Sequence, residues 1–343
     1  MTEGPKDLSS PAKAEAIFSY WMWYGIIAIV IVAISIFTEP TRYADLDAYI
    51  YYLDSLVHFP ANSWMYFEVF SNIYLLLAHW LTGSVLSAII LSHYILAIIF
   101  LILLPKTFPP HRSSWTSLLF MFAMLGPLLA FVTMRATPAY FLIAIGVRQA
   151  ADRRPNTWLF LLAASLFHIS SLLAAVPMIL LYFEGKFPDF MRADRSRKFY
   201  IFAILIIISI GGILPQVSAE LTNVIRSIPV ISKYDVYTDT NSTGTQIGHY
   251  IFLAFVAILT FTFMLLRGET TKLNIYVMSS FAIYVVLFFS SSPVAAFRQT
   301  PFWLMPMIAT LPWERLGLNR VTTPIFVLAC CGLFAFQFYQ IYV

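Results

Sequence analysis

Residues 157–183 read TWLFLLAASLFHISSLLAAVPMILLYF, an apolar run flanked by basic residues on both sides. Asp152, Arg153 and Arg154 precede it; Arg192, Arg195, Arg197 and Lys198 follow it. A single membrane crossing would carry these loops to opposite faces, whereas lysine and arginine collect on the cytoplasmic side. Two short helices with a turn near His168 to Ser171 keep both loops inside, and tilt or local thinning accommodates the short spans.

The rest of the chain has the same character. Of its 343 residues, 60% are hydrophobic and 11% charged, against about 25% charged in an ordinary soluble domain. This excludes a water-soluble globule and predicts an all-α polytopic membrane protein, with residues 1–343 forming one integral membrane domain. Apolar runs recur at about the 17 to 25 residues needed to cross roughly 30 Å of hydrocarbon as a helix. Cys330 and Cys331 are adjacent in the last run, so a disulfide framework is excluded and a cysteine metal site has too few ligands. The first run, Ala16 to Phe37, is too long for a signal-peptide core and lacks a small-residue cleavage pattern, which predicts a retained helix.

Basic residues set the expected orientation. Lys6 and Lys13 place the N-terminus in the cytoplasm and residues 38–83 in a first outer loop. Lys106 and Arg112 return to the inside after a span at about 84 to 104, so Tyr66 to Leu81 cannot itself cross. Glu68, Asn72 and His79 among its apolar residues agree with a helix in the outer interface. Further spans are expected at 114–132, 137–151, the two short helices, 199–215, 250–266, 274–290, a Pro-interrupted 301–312, and 323–341. A second outer loop covers 216–249, and SSPVAAFRQT reads as a short outer segment. The count is about eleven crossings.

Against this topology, Arg42, Arg135, Arg226, Lys233 and Arg298 are left outside, and a cation that resists the inside bias suits an anionic ligand. Five carboxylates, Glu39, Asp45, Asp47, Asp54 and Glu68, gather in the first outer loop among tyrosines. The six histidines make no HxxxH or HExxH spacing, no cofactor or metal is expected, and no phosphate-binding glycine loop is present. Nucleic acid is not an expected partner.

These residues resemble the EpsG family of Wzy-like polysaccharide polymerases, within the GT-C group of membrane glycosyltransferases. The resemblance lies in Arg42 with Asp45, Asp47 and Tyr49, in Glu68, in Arg135 opening RATPAYFLIAIG, and in His168-Ile169-Ser170. It continues in Lys233-Tyr234 with Tyr237 and in Arg298. It implies a GT-C-like fold with interfacial helices in the first outer loop. It also implies a multi-pass protein of the bacterial inner membrane with a periplasmic active site. The implied substrate is an oligosaccharide on undecaprenyl pyrophosphate, serving exopolysaccharide or O-antigen biosynthesis beside a flippase and a chain-length regulator.

Glycosyl transfer from a diphosphate needs cations for the leaving group, a base for the acceptor hydroxyl, and groups that position sugars. Arginine holds phosphate oxygens with a rigid, always-ionised fork. Arg135 and Arg298 are therefore expected at the pyrophosphate, with Arg42 as a third candidate unless an aspartate pairs with it. Asp47 and Glu68, with Asp45, are the candidate bases or acceptor-positioning groups; each could instead cap a helix or pair with arginine. His168 either donates to substrate oxygens or is a buried histidine bonded to serine. Lys233 and Tyr234 belong to a tyrosine-rich saccharide surface or to an interfacial belt. The rival readings are an enzyme using a polyprenyl-phosphate sugar and a lipid-linked glycan transporter.

Overall fold

The computed structural model describes residues 11–43, 45–58, 68–183, 197–217, 223, 227, 247–267, 273–290, 293–313 and 317–342. Every regular element among them is helical. Five helices are long and apolar enough to cross a membrane: Ala14–Phe37, Val85–Thr107, Ile247–Leu266, Leu273–Ser290 and Thr322–Tyr342. Shorter apolar helices include Trp115–Phe131, Thr157–Phe167 and Ile169–Phe183. The chain forms two compact units, one of residues 1–138 and 308–343, the other of residues 139–307.

The first unit is built on α1 (Pro11–Phe37), α4 (Val85–Thr107), α5 (Trp115–Phe131) and α14 (Thr322–Tyr342). Its side-chain contacts fix their directions. The Tyr20 hydroxyl donates to the Phe108 carbonyl at 2.5 Å and that of Tyr24 to Leu101 at 2.9 Å, so the start of α1 meets the end of α4 and the two run antiparallel. Trp23, midway along α1, stacks on Trp115 at the start of α5 at 5.4 Å, and Tyr43, beyond the end of α1, stacks on Phe131 at the end of α5 at 5.6 Å. Trp115 in turn meets Phe326 near the start of α14. At the other end the Tyr342 hydroxyl accepts the Glu39 N–H at 3.2 Å. Thus α1, α5 and α14 are parallel, and α1 and α14 finish at one face.

Between the end of α1 and the start of α4 lie a 3-10 turn (Pro40–Arg42), α2 (Leu46–His58) and α3 (Val69–Thr82). Because α1 and α4 are antiparallel neighbours, this stretch leaves from and returns to the same face. At about 1.5 Å per residue, the 14 residues of α3 span roughly 21 Å, too short for about 30 Å of hydrocarbon. Gly83 and Ser84 alone separate α3 from α4. Gly83 takes φ +72, where a side chain is disfavoured, and its N–H bonds to the His79 carbonyl at 2.8 Å. Ser84 caps α4 by accepting the Ser87 N–H at 3.1 Å.

One apolar cluster joins α2, α3 and α4: Tyr49, Tyr52, Leu53 and Leu56 with Leu75, Ala78, Ala88, Ile89 and Leu96. Tyr49, Tyr52, Leu53 and Leu56 recur at three- and four-residue spacing, so a single face of α2 is buried.

In the second unit, α6 (Ala136–Ala151, entered at Ala139) is followed by α7 (Thr157–Phe167), a 3-10 stretch (Ile169–Ala174) and α8 (Ala175–Phe183). Trp158 at the start of α7 and Tyr182 at the end of α8 lie 5.4 Å apart. The pair is therefore a hairpin with both ends at one level, as the flanking basic loops require. Eleven and nine residues reach about 17 and 14 Å, so each arm is short for about 30 Å of hydrocarbon and a crossing there calls for a locally thinned bilayer.

At Gly146 a Cβ would stand 2.9 Å from Phe160 Cβ and 3.2 Å from Met178 Cε, because α6 lies against both arms of the hairpin. Gly146→Val is expected to cost about 1–3 kcal/mol through overpacking. Thermal unfolding of the purified variant checks this; an unchanged midpoint would refute the close contact.

The remaining elements are α9 (Arg197–Val217), α10 (Ile247–Arg267), α11 (Leu273–Ser290), α12 (Pro293–Gln299) and α13 (Pro301–Thr310). The short segment SSPVAAFRQT, whose local structure the sequence reading left open, is helical from Pro293 to Gln299 and packs against α11. Proline pre-sets φ for the first helical position and so starts a helix as readily as it ends one. The second outer loop at 216–249 lies largely outside the described residues.

Candidate functional site

Arg135 and Glu68 meet although 67 positions separate them. Arg135 Nη1 donates to Glu68 Oε2 at 2.8 Å, with the arginine side chain 21% exposed and the carboxylate 4%. Local structure sets both ends. The Thr137 hydroxyl donates to the Leu129 carbonyl at 2.8 Å, and the Thr133 hydroxyl, 3.1 Å from the Leu128 carbonyl, lies 2.7 Å from that of Thr137 and is free to donate to it. These bonds stitch the end of α5 to the start of α6 and leave Arg135 at the corner. Met134, one residue earlier, is buried in the α2–α3–α4 cluster and anchors that corner.

Glu68 holds the N-cap position of α3, but its carboxylate makes no cap hydrogen bond to the helix. It turns to Arg135 instead. The helix N-terminus still favours its negative charge, since its first N–H groups present partial positive charge.

The buried face of α2 closes the site. Arg135 Cζ lies 4.0 Å from the centroid of the Tyr52 ring and 5.6 Å from that of Tyr49, a cation held over aromatic faces. The Tyr52 hydroxyl donates to Asn72 Oδ1, and Asn72 stands one turn into α3 from Glu68. Burial by itself lowers the affinity of the guanidinium for its proton. The Glu68 carboxylate, with Tyr49 and Tyr52, more than offsets this, so Arg135 stays ionised. Burial raises the Tyr52 phenol above its ordinary range against the opposing effect of Arg135, so it remains a neutral donor. Arg135 Nε is buried and has no hydrogen-bond partner among the described residues.

The other expected residues are distributed differently. Arg42 ends the 3-10 turn, is exposed, and pairs with Glu39 at 3.0 Å across two side chains about two-thirds exposed, an interaction worth little in water. Asp45 and Asp47 have the spacing of an Asp-x-Asp pair, yet Asp45 sits at φ +69 and is half-buried while Asp47 is exposed in the first turn of α2. No cluster of three or more metal-ligating side chains occurs among the described residues.

In the second unit, His168 is buried at the extended break between α7 and the 3-10 stretch. Arg298 is half-buried in the last turn of α12, where its carbonyl accepts the Tyr140 hydroxyl at 2.7 Å. Lys233 and Tyr234 lie outside the described residues.

Tyr52 and Asn72 carry the Arg135–Glu68 contact, and neither was singled out as a site residue from the sequence. The available signal was the three-residue step from Tyr49 to Tyr52 on an amphipathic helix, and Asn72 four positions after Glu68 on a largely apolar helix.

A family profile described as the EpsG family matches residues 21–343. No curated protein and no solved structure matches the chain.

Proposed function

Because the chain belongs to the EpsG family, we propose that this helical membrane protein is a polysaccharide polymerase of the GT-C type, with about eleven crossings. It moves a growing glycan from a polyprenyl diphosphate to the terminal hydroxyl of a lipid-linked repeat unit. The single observation that carries the reading is Arg135: an ionised guanidinium, largely buried, engaged by Glu68 through one terminal nitrogen while its Nε–H has no hydrogen-bond partner among the described residues. A diphosphate oxygen would supply the acceptor this donor lacks once the surrounding side chains make room for it.

The described contacts support the orientation. Lys106 and Arg112 lie where α4 ends, the face at which α1 begins, while Arg135, α2 and α3 belong to the opposite face. Positive residues favour the first face as cytoplasmic, which supports a periplasmic position for the Arg135–Glu68 pair in the inner membrane. The parallel run of α1 and α14 supports an odd number of crossings, as the proposed eleven is.

In the reaction the bond between the sugar anomeric carbon and the diphosphate oxygen breaks, and a bond from the acceptor oxygen to that carbon forms. Arg135 steadies the negative charge gathering on the diphosphate. Glu68 receives the acceptor's proton, drawn out of its ion pair as the diphosphate takes up part of the arginine. Tyr52 and Asn72 hold the geometry, because their hydrogen bond locks α2 onto α3 beside both charges.

The test uses the purified full chain in nanodiscs with repeat units on polyprenyl diphosphate. Products are expected to lengthen in the presence of chelator, and monophosphate-linked sugars are not expected to serve as donors. A strict requirement for a divalent cation, or transfer of single sugars from the monophosphate, would overturn the reading.

A further inference from the structure

In the first unit, α3 and α4 form a hairpin closed by Gly83 and Ser84. The Tyr74 hydroxyl, nine residues before Gly83, donates to the carbonyl of Ser92, eight residues after Ser84, at 3.3 Å. Contacts equally far from the turn on both arms mean that the arms lie side by side, so α3 descends along α4. Leu75 and Ala78 packed with Ala88, Ile89 and Leu96 agree. A helix lying flat in an interface would meet α4 only at its end.

The neighbouring helices show how deep this descent goes. Tyr43 stacks on His93 of α4 and on Phe131 at the end of α5. Helix α5 therefore finishes level with His93, while α4 continues eight residues to Val85, about 12 Å further. From Lys106 to His93 α4 rises about 20 Å, and the 17 residues of α5 span about 25 Å, both short of roughly 30 Å of hydrocarbon. About 30 Å along α4 from Lys106 ends near Leu86, and the pairing of Tyr74 with Ser92 sets Trp80 of α3 opposite Leu86.

The far part of the hairpin stands either in water or in lipid, and its composition decides. Residues 69–105 contain no Lys, Arg, Asp or Glu. The exposed side of α3 carries Phe70, Ile73, Leu77, Trp80 and Leu81 at helical spacing, whereas its Ser71 and Asn72 are buried. A soluble surface seldom keeps so continuous an apolar face in water. Helix α2 is the opposite: it exposes Asp47, Tyr51, Asp54 and His58.

We infer that α3 stands upright in the leaflet opposite Lys106, its exposed face against acyl chains, with Trp80 at the headgroup level and Glu68 at the deep end. Tryptophan favours that level because its ring is amphipathic. The Arg135–Glu68 pair then lies below the headgroups of that leaflet. Helix α3 separates it from acyl chains while the polar side of α2 meets water, so neither charge needs lipid contact. The inference concerns lipid contact alone and does not draw on the polymerase reading.

The test attaches a nitroxide spin label to Ile73→Cys, Leu77→Cys or Leu81→Cys in a Cys330→Ala, Cys331→Ala background, using the full chain in phosphatidylcholine–phosphatidylglycerol nanodiscs. Collisions with oxygen, which concentrates in hydrocarbon, and with a water-soluble nickel chelate report depth. The oxygen-to-nickel ratio is expected to rise from position 81 through 77 to 73, by at least three-fold overall. Equal ratios at the three positions mark a flat helix and overturn the inference. Frequent nickel collisions at all three put the hairpin in water, and rare collisions with both probes mean that another protein chain covers the face; either result sinks it. Lysine substitution gives a check without labels. Ile73→Lys should lower the melting temperature well beyond Leu81→Lys, because a charge costs more at depth; equal shifts would count against an upright α3.

Discussion

Arg135→Gln is expected to lower chain lengthening by about 100- to 1,000-fold, the usual consequence of removing one preorganised group that stabilises developing charge. Glu68→Gln should fall in the same range, because it loses both the base and the partner that holds the guanidinium over Tyr52. Each single change also breaks a buried ion pair and leaves one charge uncompensated, at a cost of about 3–5 kcal/mol. Lost activity and lost stability therefore arrive together and must be separated.

The double variant Arg135→Met, Glu68→Met does so. It removes both charges at once, and replacing a buried pair with apolar residues is often neutral or stabilising. Its unfolding midpoint is expected to recover most of the single-variant loss, while chain lengthening stays at the level of Arg135→Gln. Long polymer in cells carrying the double variant would show that the pair holds the fold and takes no part in the chemistry. Membrane accumulation of each variant, measured beside polymer length, checks that the protein is present.

Tyr43→Ala is expected to destabilise the first unit by about 3–5 kcal/mol, the usual cost of deleting a buried aromatic side chain. Tyr43 is 4% exposed. Its ring stacks on His93 at 5.4 Å and Phe131 at 5.6 Å, and meets Phe338 and Tyr342 edge-on at 6.4 and 5.3 Å. It thus ties α4, α5 and the end of α14 to the turn that leads into α2. Lengthening activity should fall with it, since α2 carries the Tyr49 and Tyr52 rings.

Tyr43→Phe keeps the ring and loses only the hydroxyl contact with Thr38 at 2.6 Å, at about 0.5–1.5 kcal/mol. It also makes a pH test. Burial pushes the Tyr43 phenol up to about 12, against the lowering effect of Thr38 and with a further rise from Tyr342 and Tyr94. A phenol whose folded pKa lies above its unfolded value near 10 contributes stability below that value and loses it as pH climbs toward 12. Tyr43→Phe should flatten part of that alkaline decline. Parallel stability curves for the two proteins between pH 10 and 12 would contradict the burial of this hydroxyl.

The hairpin at Thr157–Phe183 shows how far local pattern reaches. Its length, the basic loops on both sides and the polar patch at His168 to Ser171 sufficed to predict two short helices with a break, and Trp158 beside Tyr182 is the result. The SSPVAAFRQT segment shows where pattern stops short. Its paired serines, proline and arginine do not announce a helix, yet α12 forms there and packs against α11. Arg42 and Arg135 illustrate the same limit at the site. Both read as cations outside the membrane, yet one pairs with an exposed neighbour and the other is enclosed by three helices.

What the sequence determined by itself was the helical character of the chain and the places of most of its apolar helices. In lipid each segment must satisfy its own backbone hydrogen bonds, so apolar length and flanking charge are local quantities written into the chain. The tertiary structure alone decided that Arg135 should meet Glu68 across 67 positions, with Tyr52 beneath and Asn72 beside it. That choice depends on which face of α2 packs on α3 and α4, and on the threonine corner that turns Arg135 inward. No property of either residue's own segment specifies a partner so distant.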